Sequence, residues 1–150
     1  IYDTLETVVY AKECVMAASQ ISPVGELSTR TLAMPGDTNP AGDIFGGWVL
    51  SQMDIAGGIF SLKRCKGRTV TVAVDSMTFL QPVLVGDVLC CYCDAIREGR
   101  TSLTIKIEAW AIRQYETERV KVTEGTYTFV AVDQDGKPRS INSSCLKKDD

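Results

Sequence analysis

A single carboxylate stands in the longest apolar stretch of the sequence. Asp54 is the one charged residue in IFGGWVLSQMDIAGGIFSL, which runs from 44 to 62. Burying an unpaired carboxylate is costly, so this residue needs a partner or a chemical role. One interpretation is a structural aspartate paired with a backbone amide or an arginine. The other is a general base or nucleophile held in a dry pocket.

Two glycines precede this aspartate. Gly46 and Gly47 lie where a helix over this stretch would begin, two turns before Asp54. Glycines there leave backbone N–H groups exposed at the positive end of the helix dipole. Such groups can hold a carbonyl oxygen as it becomes negative, which is the arrangement of an oxyanion hole. A Gly-Gly pair also serves simple packing, and its combination with Asp54 favours the catalytic interpretation.

The sequence contains no histidine. This excludes Ser-His-Asp and Cys-His catalysis, histidine-dependent dehydratases and zinc sites with a histidine ligand. Cys90, Cys91 and Cys93 lie in an apolar run, where a free cysteine behaves as a small hydrophobe. We therefore expect reduced thiols without a catalytic role, and no metal site.

The composition is that of one globular domain. The 150 residues are 45% hydrophobic and 23% charged, which argues against disorder. A formal net charge of −3 disfavours binding to nucleic acid or to an anionic membrane. The abundant core and the lack of a visible signal peptide predict a cytoplasmic protein.

A helix and a sheet are needed to position Asp54 and the glycine pair. Residues 31–43 have loop composition, and 44–62 predict a helix that is apolar nearly all round and therefore buried. Its glycines and its central polar residues disfavour a membrane span. Gly57 and Gly58 would allow close approach to a neighbouring layer. Basic residues follow the helix, and Gly67 suits its C-cap.

After this helix the apolar period changes to two, which predicts four strands. They are expected at 69–79, 88–96, 103–111 and 120–132, with turns at Gly99 and at 133–136. Short turns indicate antiparallel pairing. The fold class is therefore α+β, a long central helix wrapped by a curved antiparallel sheet. At the N-terminus, residues 3–20 are compatible either with a capped helix or with a weakly structured extension.

The residues around Asp54 resemble a known family. The segments TLAMPGDTNPAGDIFGGWVLSQMDIAGG and GRTVTVAVDSMTFLQPVLVGDVLCCY are similar to those of hotdog-fold acyl-CoA thioesterases, in particular their bacterial YciA-like branch. The pattern N-x-x-G-D-x-F-G-G, with an aspartate seven residues after the second glycine, is specific to this branch. The resemblance covers about residues 29–139, and it treats 1–28 as an N-terminal extension and 140–150 as a C-terminal tail.

The resemblance implies roles for individual residues. The family's catalytic carboxylate falls on Asp54 and its loop asparagine on Asn39, and the resemblance implies that the two residues of one site come from different subunits. Phe45, Gly46 and Gly47 would bind the thioester carbonyl at the helix N-terminus. Asp43 also matches the family, and we read it as a helix N-cap. Basic residues for the phosphates of coenzyme A would come from a larger set: Arg64, Lys66, Arg68, Arg97, Arg100 and Arg113.

The implied activity is hydrolysis of acyl-CoA to a carboxylate and free coenzyme A. Coenzyme A is then part of the substrate, and no separate cofactor is expected. The family's sheet pairing predicts a homo-oligomer, a dimer at least and a hexamer as the preferred particle. A non-catalytic acyl-CoA-binding module is the alternative, which Asp54 disfavours because a pure binder has no need of a buried carboxylate. The basic cluster at 63–68 also fits a solvated helix end.

Overall fold

The computed structural model describes residues 22–141, which form one long helix and five strands. The strands are β1 (Glu26–Leu32), β2 (Thr69–Phe79), β3 (Val88–Glu98), β4 (Ser102–Ile112) and β5 (Arg119–Ala131). The helix α1 (Gly46–Cys65) lies between β1 and β2 in the chain, after a 3-10 turn at Pro35–Asp37. The helix predicted for residues 3–20 lies outside the described residues.

The five strands form one antiparallel sheet in the order β1-β3-β4-β5-β2. Consecutive strands pair from β3 to β5, whereas β2 lies at the far edge beside β5. The helix contacts all five strands on one face of the sheet. The predicted α+β architecture, a long helix against an antiparallel sheet, is confirmed.

The core lies between α1 and the inner face of the sheet. Alternate residues of β4 point inward and are fully buried, among them Leu103, Ile105 and Ile107. From α1, Val49, Met53 and Ala56 meet them. This alternation is what the period-two pattern of the sequence predicts for a sheet with one covered face.

The helix is buried on one side only. Ile55, Ile59 and Leu62 are exposed in the protomer, so the prediction of a helix buried all round is wrong for the single chain. The predicted close approach of the helix to a neighbouring layer is confirmed at Gly57. A Cβ added there would lie 2.7 Å from side-chain carbons of Ile107 and Phe129 on the sheet. The same expectation is wrong for Gly58, beside which the protomer leaves open space.

Both helix ends differ from the sequence prediction in detail. The N-cap is Phe45 without a side-chain hydrogen bond, so the reading of Asp43 as the cap is wrong. The main chain of Asp43 is instead tied to Asn39, whose N–H donates to the Asp43 carbonyl at 2.7 Å. At the other end, the left-handed residue is Lys66 rather than Gly67. Gly67 contributes by donating its N–H to the carbonyl of Leu62 at 3.2 Å.

Strand β1 has no counterpart in the sequence prediction. It begins at Glu26, inside the segment 1–28 assigned to an extension, and pairs only with β3. As an edge strand it is mostly exposed, so its sequence ELSTRTL lacks a strong apolar alternation. The four other strands lie within two residues of their predicted bounds.

Candidate active site

The N-terminus of α1 is open. The first hydrogen bond of the helix is donated by the Trp48 N–H to the Phe45 carbonyl at 3.0 Å. The amides of Gly46 and Gly47 precede it and have no acceptor within the helix. Both glycines are exposed, and a Cβ built on Gly47 would meet nothing within 4 Å. A ligand oxygen can therefore approach these amides directly.

A cavity of about 340 Å³ adjoins this helix end. Gly46 and Val49 form its helix side, and the end of β2 with the loop after it forms the other side. The ring of Phe79 lies 3.4 Å from the position of a Cβ on Gly46, which is an ordinary van der Waals distance, so the ring forms a wall close to the helix start. The cavity is lined by Ile44, Gly46, Val49, Phe79, Leu80, Gln81, Pro82 and Val83.

Asp54 lies two turns further along the helix and is partly buried. Its Oδ1 accepts a hydrogen bond of 2.6 Å from the hydroxyl of Thr71 on β2. The bond holds the carboxylate in one orientation between helix and sheet. The partner is thus a hydroxyl, not the backbone amide or arginine of the structural interpretation.

Tyr127 supplies a second link between β5 and this stretch of the helix. Its hydroxyl donates to the carbonyl of Leu50 at 3.3 Å. Burial raises the pKa of Tyr127 above its usual value, and the charge of Asp54 raises it further. Tyr127 is consequently a neutral donor at physiological pH. Neither Thr71 nor Tyr127 was singled out from the sequence.

Asn39 shapes the loop before the helix. Its side-chain oxygen accepts the N–H groups of Ala41 at 3.0 Å and of Asp43 at 3.1 Å. These bonds close a compact turn that leads into the Phe45 N-cap. Within the described residues, no hydrogen bond joins Asn39 to Asp54 of the same protomer.

The basic residues proposed for coenzyme A lie in different environments. Arg113 is paired with the buried Asp87, and Arg64 lies 3.4 Å from Glu98. Lys66 closes the helix with its main chain. Arg68 is exposed just before β2. The structure thus commits Arg113 to an internal ion pair and leaves Arg68 directed to the surface.

The described cysteines are buried thiols. Cys90 and Cys93 have C-x-x-C spacing, but alternation places Cys93 in the inner core and Cys90 on the outer face of the sheet. Burial raises the pKa of Cys91 and of Cys93 to about 12, so both remain protonated and unreactive. The prediction that these cysteines act as small hydrophobes is confirmed by their burial.

The described residues offer neither a metal centre nor a membrane-spanning helix. Between residues 22 and 141, no group of three or more Cys, Asp or Glu side chains could hold a metal ion. In the same range, no helix is long and apolar enough to cross a membrane.

Comparison with known proteins gives consistent matches. The model of the thioesterase superfamily matches residues 41–118, which include both glycines and Asp54. The acyl-CoA thioester hydrolase YciA of Salmonella typhimurium is 52% identical over 130 residues, covering 84% of this chain and 97% of that protein.

Solved structures agree with the sequence relatives. A hexameric thioesterase from Yersinia pestis is 56% identical with a TM-score of 0.78, covering 81% of this chain and 99% of its own. A hexameric hotdog fold thioesterase of Campylobacter jejuni is 38% identical with a TM-score of 0.75, covering 82% and 95%. The fold described above is therefore the hotdog fold, as the sequence resemblance implied.

One pair of more distant structures bears on Thr71. An acyl-CoA hydrolase from Staphylococcus aureus, 26% identical with a TM-score of 0.69, has been solved with an aspartate replaced by alanine and, separately, with a threonine replaced by alanine. These structures cover 75% of this chain and 69% and 70% of their own. The two substituted positions are 17 residues apart, the separation of Asp54 and Thr71 here.

Proposed function

Because the chain belongs to the thioesterase superfamily, we propose that it is an acyl-CoA thioester hydrolase, releasing a carboxylic acid and free coenzyme A. The observation that carries this proposal is the arrangement on α1. Open amides at Gly46 and Gly47 precede a carboxylate that Thr71 holds in place. The identity to curated acyl-CoA thioester hydrolases spans nearly the whole of those proteins. A non-catalytic binder has no need of an oriented carboxylate.

In the proposed reaction, the thioester carbonyl oxygen lies against the N-terminus of α1. The Gly47 amide and the helix dipole stabilise the negative charge that develops on this oxygen. Asp54 either takes a proton from an attacking water or attacks the carbonyl carbon itself to form an anhydride that water then opens. In both routes coenzyme A leaves as a thiolate. Because a thiolate is a good leaving group, no histidine acid is required.

The proposed particle is a homo-oligomer, a dimer at least and a hexamer in full. The exposed apolar residues Ile55, Ile59 and Leu62 on α1 support it, since a lone protomer would present them to water. Edge strand β2 adds Val72 and Val74, which are also exposed. An unpaired edge of this kind favours pairing with another chain. The Yersinia and Campylobacter relatives are both hexameric.

We further propose that each active site combines two protomers, with Asn39 from one chain and Asp54 from the other. The different surroundings of these residues within one protomer support this assignment. Asn39 is bonded only to its own loop among the described residues, and Asp54 is bonded to β2. Phe45, half of whose surface is exposed, and Arg68 would contact the substrate at the rim.

The direct test is release of thiol from acyl-CoA substrates of different chain length, followed with a thiol reagent. We expect one thiol for each acyl-CoA consumed. Cys91 and Cys93 are buried in the folded protein, so the reagent does not reach their thiols. Binding of acyl-CoA without any thiol release, across the whole series, would instead identify a binding module.

The shared site is tested by mixing two variants. Asn39→Ala and Asp54→Asn should each be weakly active, with Asn39→Ala retaining more activity because it loses a positioning group rather than the base. After subunit exchange, a mixed dimer holds one site with both native residues, and activity should reappear. If exchange is demonstrated and activity does not return, both residues act within one protomer.

A further inference from the structure

Strand β2 contains a bulge beside the N-terminal half of α1. Its register with β5 shifts between Asp75 and Thr78, so Ser76 and Met77 together lie opposite one residue, Gly125. Ser76 has φ +52°, in the left-handed region that glycine favours and that strains other residues. Bulges next to binding sites commonly redirect side chains. This bulge therefore sets the direction of the side chains that follow it, at some cost in stability.

The bulge exchanges polar for apolar side chains on the face that meets the helix. Val74 pairs with a residue of β5 whose hydroxyl bonds to α1, so Val74 lies on the helix-facing side. Plain alternation beyond Val74 would direct Ser76 and Thr78 toward the helix. The extra residue reverses the alternation, and Met77 and Phe79 face α1 instead. An edge strand thus presents two apolar groups where an unbulged strand would present two hydroxyls.

The contacts of both apolar side chains agree with this direction. The Tyr127 hydroxyl donates to Met77 Sδ at 3.6 Å. A Cβ on Gly125 would lie 2.8 Å from Met77 Cγ, so glycine there leaves the room that this side chain occupies. The Phe79 ring lies against Gly46 at the start of α1. Met77 is thus packed against the core, whereas Phe79 is 47% exposed and lines the cavity at the helix end.

This cavity suits an apolar ligand. Its lining includes Phe79 and three buried aliphatic side chains, those of Ile44, Val49 and Val83. Among the described residues that line it, Gln81 alone has a polar side chain. The amides of a pantetheine arm would leave water there without enough hydrogen-bond partners, whereas an acyl chain has no such groups. The cavity begins at the first residue of α1, where the proposed reaction places the thioester carbonyl.

We propose that this cavity binds the acyl chain of the substrate, and that Phe79, directed into it by the bulge at Ser76, determines which chain lengths are turned over. The inference rests on the proposed hydrolase activity. Phe79 contacts the chain directly, whereas Ser76 acts through the ring and is a positioning residue. Because an apolar contact helps only a chain that reaches it, both residues act on the ratio of kcat/KM between long and short acyl groups.

The first test compares thiol release from short, medium and long straight-chain acyl-CoA substrates. Phe79→Ala removes the ring and should lower kcat/KM for the longer chains, relative to the shortest, by about 10-fold or more. Phe79→Leu keeps an apolar wall and should retain most of the preference. Ile96→Ala is the matched control, since it removes another exposed apolar side chain, on β3, outside the cavity lining. It should leave the chain-length profile unchanged.

The second test changes the bulge without touching the cavity wall. Ser76→Gly accepts the left-handed conformation and should keep the profile of the unaltered chain. Ser76→Val disfavours that conformation, because a β-branched residue rarely adopts it, and should reproduce the profile of Phe79→Ala. Thr78→Val is the control for a valine at a neighbouring exposed position of the same strand. A purely structural role of Ser76 would lower the activity on all chain lengths equally.

The outcomes separate this inference from the proposed function. No thiol release by the unaltered chain from any substrate would overturn the hydrolase activity, and this inference with it. An active enzyme whose profile is the same in Phe79→Ala would overturn the acyl site alone. Dissociation of the oligomer by Phe79→Ala, seen by light scattering without a change of profile, would assign the ring to a subunit interface and also overturn it. Equal profiles in Ser76→Val and Ser76→Gly would contradict the positioning role of the bulge.

Discussion

The N-terminal and C-terminal halves of α1 differ in whether their polar groups are left open to a ligand or are bonded within the protein. In the first half, Gly46 lines a cavity, the Gly47 backbone is exposed beside it, and Asp54 has a hydroxyl as its partner. In the second half, polar groups are satisfied by the protein itself. Ser61 bonds to Thr69 at 2.7 Å, and Arg139 donates to the carbonyl of Cys65 at 3.0 Å.

This difference follows from the helix dipole and from the roles of the two ends. The N-terminal end binds a ligand in the proposed reaction, and the C-terminal end stabilises the fold. A satisfied end contributes stability, because buried carbonyls without a donor are costly. An unsatisfied end leaves its donors free for a ligand, at some expense in stability. We therefore expect substitutions in the first half to change turnover, and substitutions in the second half to change the free energy of unfolding.

The largest effect should come from Asp54→Asn. The substitution keeps the size of the side chain and removes its charge and basicity, so kcat should fall by about 10²–10⁴. The measurement is thiol release per folded molecule, with the oligomer checked by light scattering. A changed melting temperature with nearly unchanged kcat would make Asp54 a structural residue.

Gly47→Pro removes one amide donor from the open end. Proline is tolerated in the first turn of a helix, so the fold should survive. Loss of one oxyanion donor should lower kcat by about 10²–10³. Gly47→Ala keeps the N–H and meets nothing in the protomer, so it serves as the control. Equal losses in both variants would point to steric blocking and contradict the role of the amide.

Thr71→Val tests the bond that orients the carboxylate. The side chain keeps its shape but loses the donor, and a hydrogen bond to a charged group is worth about 1.5–3 kcal/mol, or about 10–100-fold in kcat. Thr71→Ser retains the hydroxyl and should recover most of the activity. If the serine variant is as weak as the valine variant, packing by the methyl group explains the loss, and the proposed orientation is wrong.

Arg139→Ala tests the satisfied end. It removes donors to the carbonyls of Cys65 and of Val132, so the free energy of unfolding should fall by about 1–3 kcal/mol. The kcat of the folded enzyme should be unchanged. Lys137→Ala, an exposed change in the same turn, is the control for denaturant unfolding. A loss of kcat without loss of stability would break the distinction between the two halves.

Periodicity predicted the elements whose faces differ in burial. Strand β5 and the first half of β4 alternate between buried and less buried positions, so period two marks them in the sequence, whereas β3 is an apolar run that is buried on both faces. Strand β1 is defined by its pairing with β3 and is exposed at the edge. Its hydrogen bonds come from a strand more than 50 residues away, which no local pattern records.

The candidate site was predictable in part for the same reason. Gly46, Gly47 and Asp54 share one helix, so their relative positions follow from helical geometry. Thr71 belongs to β2 and meets Asp54 only because the sheet packs under the helix. Asp43 has the residue type of a cap but lies two residues before the observed N-cap Phe45, and its main chain is bonded to Asn39.

Gly57 restricts how this helix can change through evolution. Alanine in a helix interior is usually an improvement of about 1 kcal/mol over glycine. Here the new methyl would lie 2.7 Å from Ile107 Cδ1 and from two ring carbons of Phe129, so these side chains or the helix must shift. Asp54 lies about 4.5 Å along the axis, and a shift of about 1 Å there can cost 10²-fold in rate. Two adjacent glycines therefore differ in substitution tolerance, since Gly58 meets no such neighbour in the protomer.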